Sequence, residues 1–350
     1  NAVLNFSGTN TITFTANYRD GITSKATGLK IKSEDEGSLK ISKARFAIYS
    51  EATITGKPLD IEGNIKLDMT EGTSAIYYQT GPVSFSGTPV VSADISNFAV
   101  YGVGLTFSGG KFSIKNTSGY AITSRNYTDA DKKSVSTDIE ISGTADIHIK
   151  EAKRGIYTGG GKVTVKDSAK IRMYDGEGES RTAGITMDNI IATTLSRNPT
   201  GDLTVEGNAV IDAFTKGAGI SVGKTKIAGN AKVYITVENE GSYSKNIVRI
   251  DGDCDISGNA EVDLKAKSGK TEGIYGSSSM SVNLSESAKV KIDGVTRGIY
   301  VGSVNLSGSA SMAIKDVAEQ AFYNGTVTIA DMATFEASLA EASAAGKYPV

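Results

Sequence analysis

The sequence predicts an all-β chain wound as a single-stranded, right-handed parallel β-helix, a β-solenoid of about twelve coils. Three observations predict it. First, a phrase of a small residue, an aliphatic residue and often Tyr returns along the chain. It reads FAIYS (46–50), SAIYY (74–78), FAVYG (98–102), YAITS (120–124), RGIYT (154–158), AGITM (183–187), AGISV (218–222), EGIYG (272–276), RGIYV (297–301) and QAFYN (320–324). Second, a strand–turn–strand unit lies between these phrases, as in IEISGTADIHIK (139–150), LTVEGNAVIDAF (203–214) and VNLSGSASMAIK (304–315). Third, its spacing is fixed: Ile141 to Ala145, Val165 to Ala169, Val205 to Ala209, Ile227 to Ala231, Ile256 to Ala260, Leu284 to Ala288 and Leu306 to Ala310 are the same step.

Each element has a local cause. The aliphatic residues of the phrases are Ile22, Ile48, Ile76, Val100, Ile122, Ile156, Ile185, Ile220, Val248, Ile274, Ile299 and Phe322. Their mean step is roughly 27 residues, within the range of solenoid coils. In the paired strands, apolar residues fall at every second position, the period of a strand with one buried face. The Gly-Asn, Gly-Ser and Gly-Thr pairs between them are turn chemistry, because Gly and Asn tolerate positive φ. The Gly or Ala before each aliphatic marker points to close backbone approach. One coil thus holds three short strands and cannot bury its inward side chains alone. Stacking coils at ~4.8 Å gives a rod of roughly 60 Å. Crossovers between parallel strands favour the right hand. Propeller blades need about 40 residues or more, which argues against that alternative.

The β-helix is assigned to residues 1–330. The tail 331–350 is expected as a helical cap or the lead-in to a further domain. In DMATFEASLAEASAAG (331–346), Asp331 can cap a helix whose face carries Met332, Phe335 and Leu339. A last strand through Ala333, Phe335 and Ala337 is the alternative. Insertions are read at 125–137 and 188–201, both after a phrase and so from one corner, and at 238–245.

Composition narrows the function classes. The chain has 350 residues, 40 Gly, 5 Pro, no Trp and a net charge of −2. That balance gives no reason to expect nucleic acid or an anionic membrane as a partner. No apolar run is long enough to span a bilayer. The chain lacks an initiator Met and a signal segment at Asn1 and reads as a trimmed fragment. The one cysteine, Cys254, is placed on an inward position as a small core residue, which leaves no internal disulfide framework. The Ser- and Thr-rich, Cys-poor composition fits a bacterial exported protein; an extracellular or cell-surface location and a monomeric state are expected.

The candidate site is the residue after each marker. Tyr49, Tyr77, Tyr101, Tyr157, Tyr275, Tyr300 and Tyr323 occupy it, with Thr123, Thr186, Ser221 and Arg249 interrupting. Stacked coils would turn these into an outward ladder of phenols, apolar bodies with polar tips that can pack against a sugar. Mutual stabilisation of neighbouring rings on a sheet is the structural alternative. Arg125, Asp129, Asp131 and Arg197 in the two same-corner insertions could frame that face. Asp251, Asp253 and Asp255 share one side of a strand, as calcium ligands can. Register also sets Asp253 beside Lys224, Asp255 beside Lys226, and Glu261 between Lys232 and Lys289, which favours a charge ladder. Thr144, Ser168, Asn208, Asn230, Asn259, Ser287 and Ser309 should stack at one turn. His148, the one histidine, lies on an outward strand position with Asp146 two residues before it. No nucleophile triad, phosphate loop, metal site or cofactor motif assembles around it.

The regular coils, the turn Asn/Ser series and the GIY phrases resemble the parallel β-helix, pectate-lyase-like superfamily, and within it adhesin-like surface proteins of gut bacteria. The resemblance covers about residues 3–330. It implies a non-catalytic surface module that binds a glycan or host polymer. It also raises two alternatives: a lyase or hydrolase acting on uronate polymers, and a structural spacer. The glycosidase motifs Gly-His-Gly and Arg-Ile-Lys are absent. For the lyases, Asp251, Asp253, Asp255 and Arg249 are the nearest match, at loose spacing. Acid and base candidates for catalysis are Asp129, Asp131, Lys132, Lys133 and Arg197.

Overall fold

The computed structural model describes residues 2–340 except 17–18, 26, 51–55, 117, 126–136, 187–188, 195–198, 239–245, 268–270 and 324. Among these the chain forms a β-solenoid of three parallel sheets. The first sheet has 13 strands, from Ala2–Asn5 to Thr326–Ile329. The second runs from Thr9–Thr13 to Thr334–Leu339, and the third, of 12 strands, from Ile22–Ser24 to Gln320–Tyr323. Each turn of the chain visits the three sheets in that order and pairs with the turns above and below. The third sheet carries the phrases, and the other two carry the strand–turn–strand units.

Inward residues line up in unbroken columns. In the first sheet Ile139, Val163, Leu203, Thr225, Cys254, Val282 and Val304 are in register. None of them is more than 3 % exposed. Ile147, Ile171, Ile211, Val233, Val262, Val290 and Met312 do the same in the second sheet. Each buried Val, Leu or Ile contributes about 1.5–3 kcal/mol. In earlier coils rings fill the interior: Phe85 stacks on Phe107 at 4.8 Å, and Phe112 meets both edge-on at 5.0 and 5.1 Å. Cys254 is buried where the sequence placed it, and burial pushes its thiol pKa up to about 12. Its neighbour Thr225 is the odd member of the column, because its hydroxyl is buried with no hydrogen-bond partner.

The turn between the first and second sheets has one left-handed slot. Gly143, Asp167, Gly207, Gly229, Gly258, Glu286, Gly308 and Asp331 occupy it with φ between 58° and 74°. Glycine suits this conformation, and the aspartates add a bond to it. Asp167 Oδ2 accepts from the Gly143 amide, and Asp331 Oδ2 from the Gly308 amide, each at 2.9 Å. One residue further on, Asn259 donates to Asn230 at 3.1 Å and Asn230 to Asn208 at 3.0 Å, the expected stack at the turn.

Two expectations change. The capping helix does not form over the described tail: Thr334–Leu339 is a strand in register with Ser311–Val317. Phe335 and Ala337 pair with Met312 and Ile314 and prolong the apolar columns, so register outweighs the helical propensity of an Ala- and Glu-rich stretch. Asp331, expected as a helix cap, fills the turn slot. Likewise Ile185 does not mark the third sheet; Ile191 does, paired with Ile156 and Ile220. Ile185 bridges Ala152 and Thr215 instead. The cause is a side excursion in which Thr182–Ala183 turns back antiparallel onto Tyr174 and Asp175. It uses up the length that a regular coil would have.

Close stacking gives the small residue before each marker its reason. A Cβ on Gly298 would lie 2.3 Å from the Ala321 carbonyl oxygen and 2.5 Å from Ile314 Cγ2. Gly298→Ala is expected to destabilise the fold by about 1–3 kcal/mol, since backbone must move to admit the methyl. Thr225→Val is expected to act in the opposite direction. It removes an unpaired hydroxyl at nearly constant shape and should stabilise by about 1 kcal/mol. Denaturant midpoints of the two variants against the parent check both.

Candidate functional site

The residue after each marker forms one continuous column along the third sheet. In register, Tyr49, Tyr77, Tyr101, Thr123, Tyr157, Ala192, Ser221, Arg249, Tyr275, Tyr300 and Tyr323 follow one another. Ala192 takes the place expected for Thr186, for the reason given above. The column does not face solvent throughout. Tyr101 is 1 % exposed, Thr123 2 %, Ala192 7 % and Ser221 8 %, so the Tyr101 rung is covered and presents no open ring. The Tyr101 ring is covered by Tyr77, stacked at 4.3 Å, and by Phe98 at 5.0 Å, and its hydroxyl accepts from the Gln79 amide at 3.4 Å.

Two aromatic groups result. In the first, Phe46 stacks on Tyr49 at 5.1 Å and on Tyr77 at 4.7 Å, while Phe98 stacks on Tyr120 at 6.1 Å and Tyr120 lies 5.2 Å from Tyr157. Sequence reasoning missed Phe46, Phe98 and Tyr120. Their signal was available: each opens its phrase, three residues before the column position. Arginines edge this group. Arg45 lies over Phe46 at 4.9 Å and donates to Asp20 at 2.6 and 2.8 Å. Arg154 lies over Tyr120 at 4.9 Å. Burial pushes the Tyr77 phenol up to about 12 and raises that of Tyr157, and the positive charge of exposed Arg125 opposes both shifts. Asp129, Asp131, Lys132, Lys133 and Arg197 lie outside the described residues.

The second group is simpler and more open. Tyr275 stacks on Tyr300 and Tyr300 on Tyr323, each at 5.1 Å with interplanar angles of 17° and 22°. Tyr323 is 37 % exposed. The rings use much of their faces on one another, which leaves edges and hydroxyls toward solvent in a row with the pitch of the coils. Arg249 lies 5.5 Å over the Tyr275 ring at one end. Arg297 lies 4.9 Å over Tyr323 at the other, held by Glu319 at 3.1 Å and Glu272 at 3.3 Å.

The acidic run resolves into polar ladders. Lys226 and Asp255 are in register, as are Lys232, Glu261 and Lys289. Contacts nevertheless run both ways along the rod: Lys226 pairs with Glu206 at 3.3 Å, and Asp255 accepts from Asn283 at 2.8 Å. Asp253 accepts from the Ser281 amide and hydroxyl, each at 2.9 Å. Among the described residues no three His, Cys, Asp or Glu side chains are placed to hold a metal ion. No helix among them is long and apolar enough to cross a membrane.

His148 is half-buried, with Nε2 2.8 Å from the Tyr174 carbonyl oxygen, and so carries its proton there. Asp146 is taken by Arg172, whose Nη2 donates to both carboxylate oxygens at 2.8 and 2.9 Å.

Comparison with known proteins finds no matching family model, no matching curated protein and no matching solved structure.

Burial holds the His148 imidazole below its ordinary value of 6.5. The unfolded chain therefore binds this proton more tightly, and the contribution to stability is complete above 6.5 and declines as pH falls below it. NMR should show the ring titrating below 6.5. His148→Gln should flatten the loss of stability on mild acidification, read from unfolding midpoints across that range.

Proposed function

We propose that this chain is a non-catalytic, adhesin-like module of the pectate-lyase-like β-helix kind, extracellular or at a bacterial cell surface, that binds a glycan or another extended host polymer. The observation that supports this reading is the stack of Tyr275, Tyr300 and Tyr323, an accessible aromatic row at the coil pitch. Successive coils rise by ~4.8 Å, close to one residue of an extended polysaccharide, so a polymer laid along the rod meets the same phenol group at each step. Phenol hydroxyls can donate to and accept from sugar hydroxyls, and ring edges pack on C–H surface. Arg249 and Arg297 bound the row and add fixed donors at both ends. Phe46, Tyr49 and Tyr77 offer a second, smaller patch on the same sheet.

The test is a triple substitution, Tyr275→Ala, Tyr300→Ala and Tyr323→Ala, assayed on affinity gels and arrays of neutral and uronate polysaccharides. At least about tenfold weaker binding is expected, the loss of roughly 1.4 kcal/mol or more. Two ring pairs also vanish, at about 0.5–1.5 kcal/mol each, so circular dichroism should show the fold retained at a lower unfolding midpoint. Undiminished binding by the triple variant would remove the row from the site.

A further inference from the structure

The rungs that carry the open Tyr row have a second feature on a different face. On the outer surface of the second sheet, Ser311 and Ala313 stand in register between Lys289 and Lys291 on one rung and Thr334 and Glu336 on the next. Short side chains between long ones leave a depression of about 350 Å³. That is near the lower end of ligand-pocket sizes, room for a small ring rather than a long chain. Ala313 forms its floor, and Asp263, Lys289, Lys291, Lys315 and Glu336 stand around it.

The polar groups of this groove are of both signs. Lys315 pairs with Glu336 at 3.1 Å, and Lys291 reaches Asp293 at 3.7 Å. Asp263 is different: it is half-buried, sits in register with Lys291, and has no hydrogen bond or ion pair among the described residues. Burial raises its carboxyl pKa against the pull of Lys291. A partly desolvated acceptor of this kind gains from a ligand that brings donors. Lysines close by supply donors for a ligand that brings acceptors. A strongly anionic or cationic ligand would satisfy one set and be repelled by the other. A neutral polyol, with hydroxyls that both donate and accept, satisfies the two together.

We propose that the groove floored by Ala313 and walled by Asp263, Lys289 and Lys315 is a binding subsite for a neutral sugar unit. Asp263 accepts from its hydroxyls, and the lysines donate to its oxygens. This site stands on its own geometry and does not depend on the Tyr row.

Calorimetric and ligand-observed NMR titrations test it, with glucose, galactose, mannose and N-acetylglucosamine and their short oligomers as probes. Glucuronate and glucosamine serve as charged comparators. Saturable binding of at least one neutral sugar is expected, at least about tenfold weaker in both Ala313→Leu, which fills the floor, and Asp263→Ala. Ala313 faces outward, so its replacement leaves the apolar columns intact, and an unchanged unfolding midpoint verifies this. The triple Tyr→Ala variant should bind these sugars as the parent does. No saturable binding of any neutral sugar, equal binding by Ala313→Leu, or tighter binding of the charged comparators would overturn the proposal. Neutral-sugar binding lost in the Tyr variant but kept in Ala313→Leu would overturn the groove and leave the Tyr row standing.

Discussion

A coil of this chain has no interior of its own. Ile141 or Val165 is dry only because the rungs above and below supply its neighbours, and the same stacking pairs the backbone of every interior strand on both sides. That shared column is the constraint from which the other features follow. It fixes the spacing between the first-sheet aliphatic residue and the Ala beyond the turn, because both must point inward on every rung. It requires a left-handed residue between them, hence the Gly, Asp or Glu of that slot. It brings backbones close enough at the third-sheet corner that a methyl on Gly298 would meet the next carbonyl oxygen.

The same stacking organises the outer surface, where no packing rule selects residue type. Each outward residue has two fixed neighbours, so like groups and complementary groups form ladders. Asn208, Asn230 and Asn259 chain their amides; on another face Asn305 donates to Asn283 at 2.9 Å and Asn283 to the Asp255 carboxylate at 2.8 Å. The charged ladders are half exposed, and such pairs contribute little stability individually. Their effect is on register, since a slip by one rung would set like charges together at many positions. Phenols at consecutive rungs must stack for the same reason, which makes ring stacking alone a poor sign of ligand binding. Accessibility distinguishes Tyr275, Tyr300 and Tyr323 from Tyr101.

What was legible in the sequence is what repeats. The three strands per coil, the turn, the small-residue corner and the inward Cys254 each recur or fall on a recurrent position. What was illegible depends on a single rung. At 183–187 the phrase AGITM matches the pattern, but the excursion that pairs Thr182 with Asp175 displaces it, and NIIA takes the slot. In the tail, composition favours a helix while alternation of Phe335, Ala337 and Leu339 favours a strand, and the waiting edge of Ser311–Val317 decides. Burial of Tyr101 comes from Phe98 and Gln79 around it, which the Tyr slot itself does not encode. The groove over Ala313 arises from the sizes of residues on three successive rungs, a pattern across the rod that reading along the chain does not display.

The two candidate binding features fall in one stretch of regular rungs. From Glu261 onward the markers Ile274, Ile299 and Phe322 follow at steps of 25 and 23 residues, without the long insertions of the middle coils. Over these rungs Tyr275, Tyr300 and Tyr323 repeat at a constant 5.1 Å. In the middle of the column the same slot holds Thr123, Ala192 and Ser221 and is buried. The slot is thus closed over these small residues, and over Tyr101 beside Phe98, and part-open along Tyr275, Tyr300 and Tyr323. A ligand that reads the rod by its pitch is confined to rungs whose rings are accessible. A compact ligand needs only a local break in side-chain size, which Ser311 and Ala313 provide on the adjoining sheet. Open pitch on one face and a size defect on the next are separate consequences of the same stacked column.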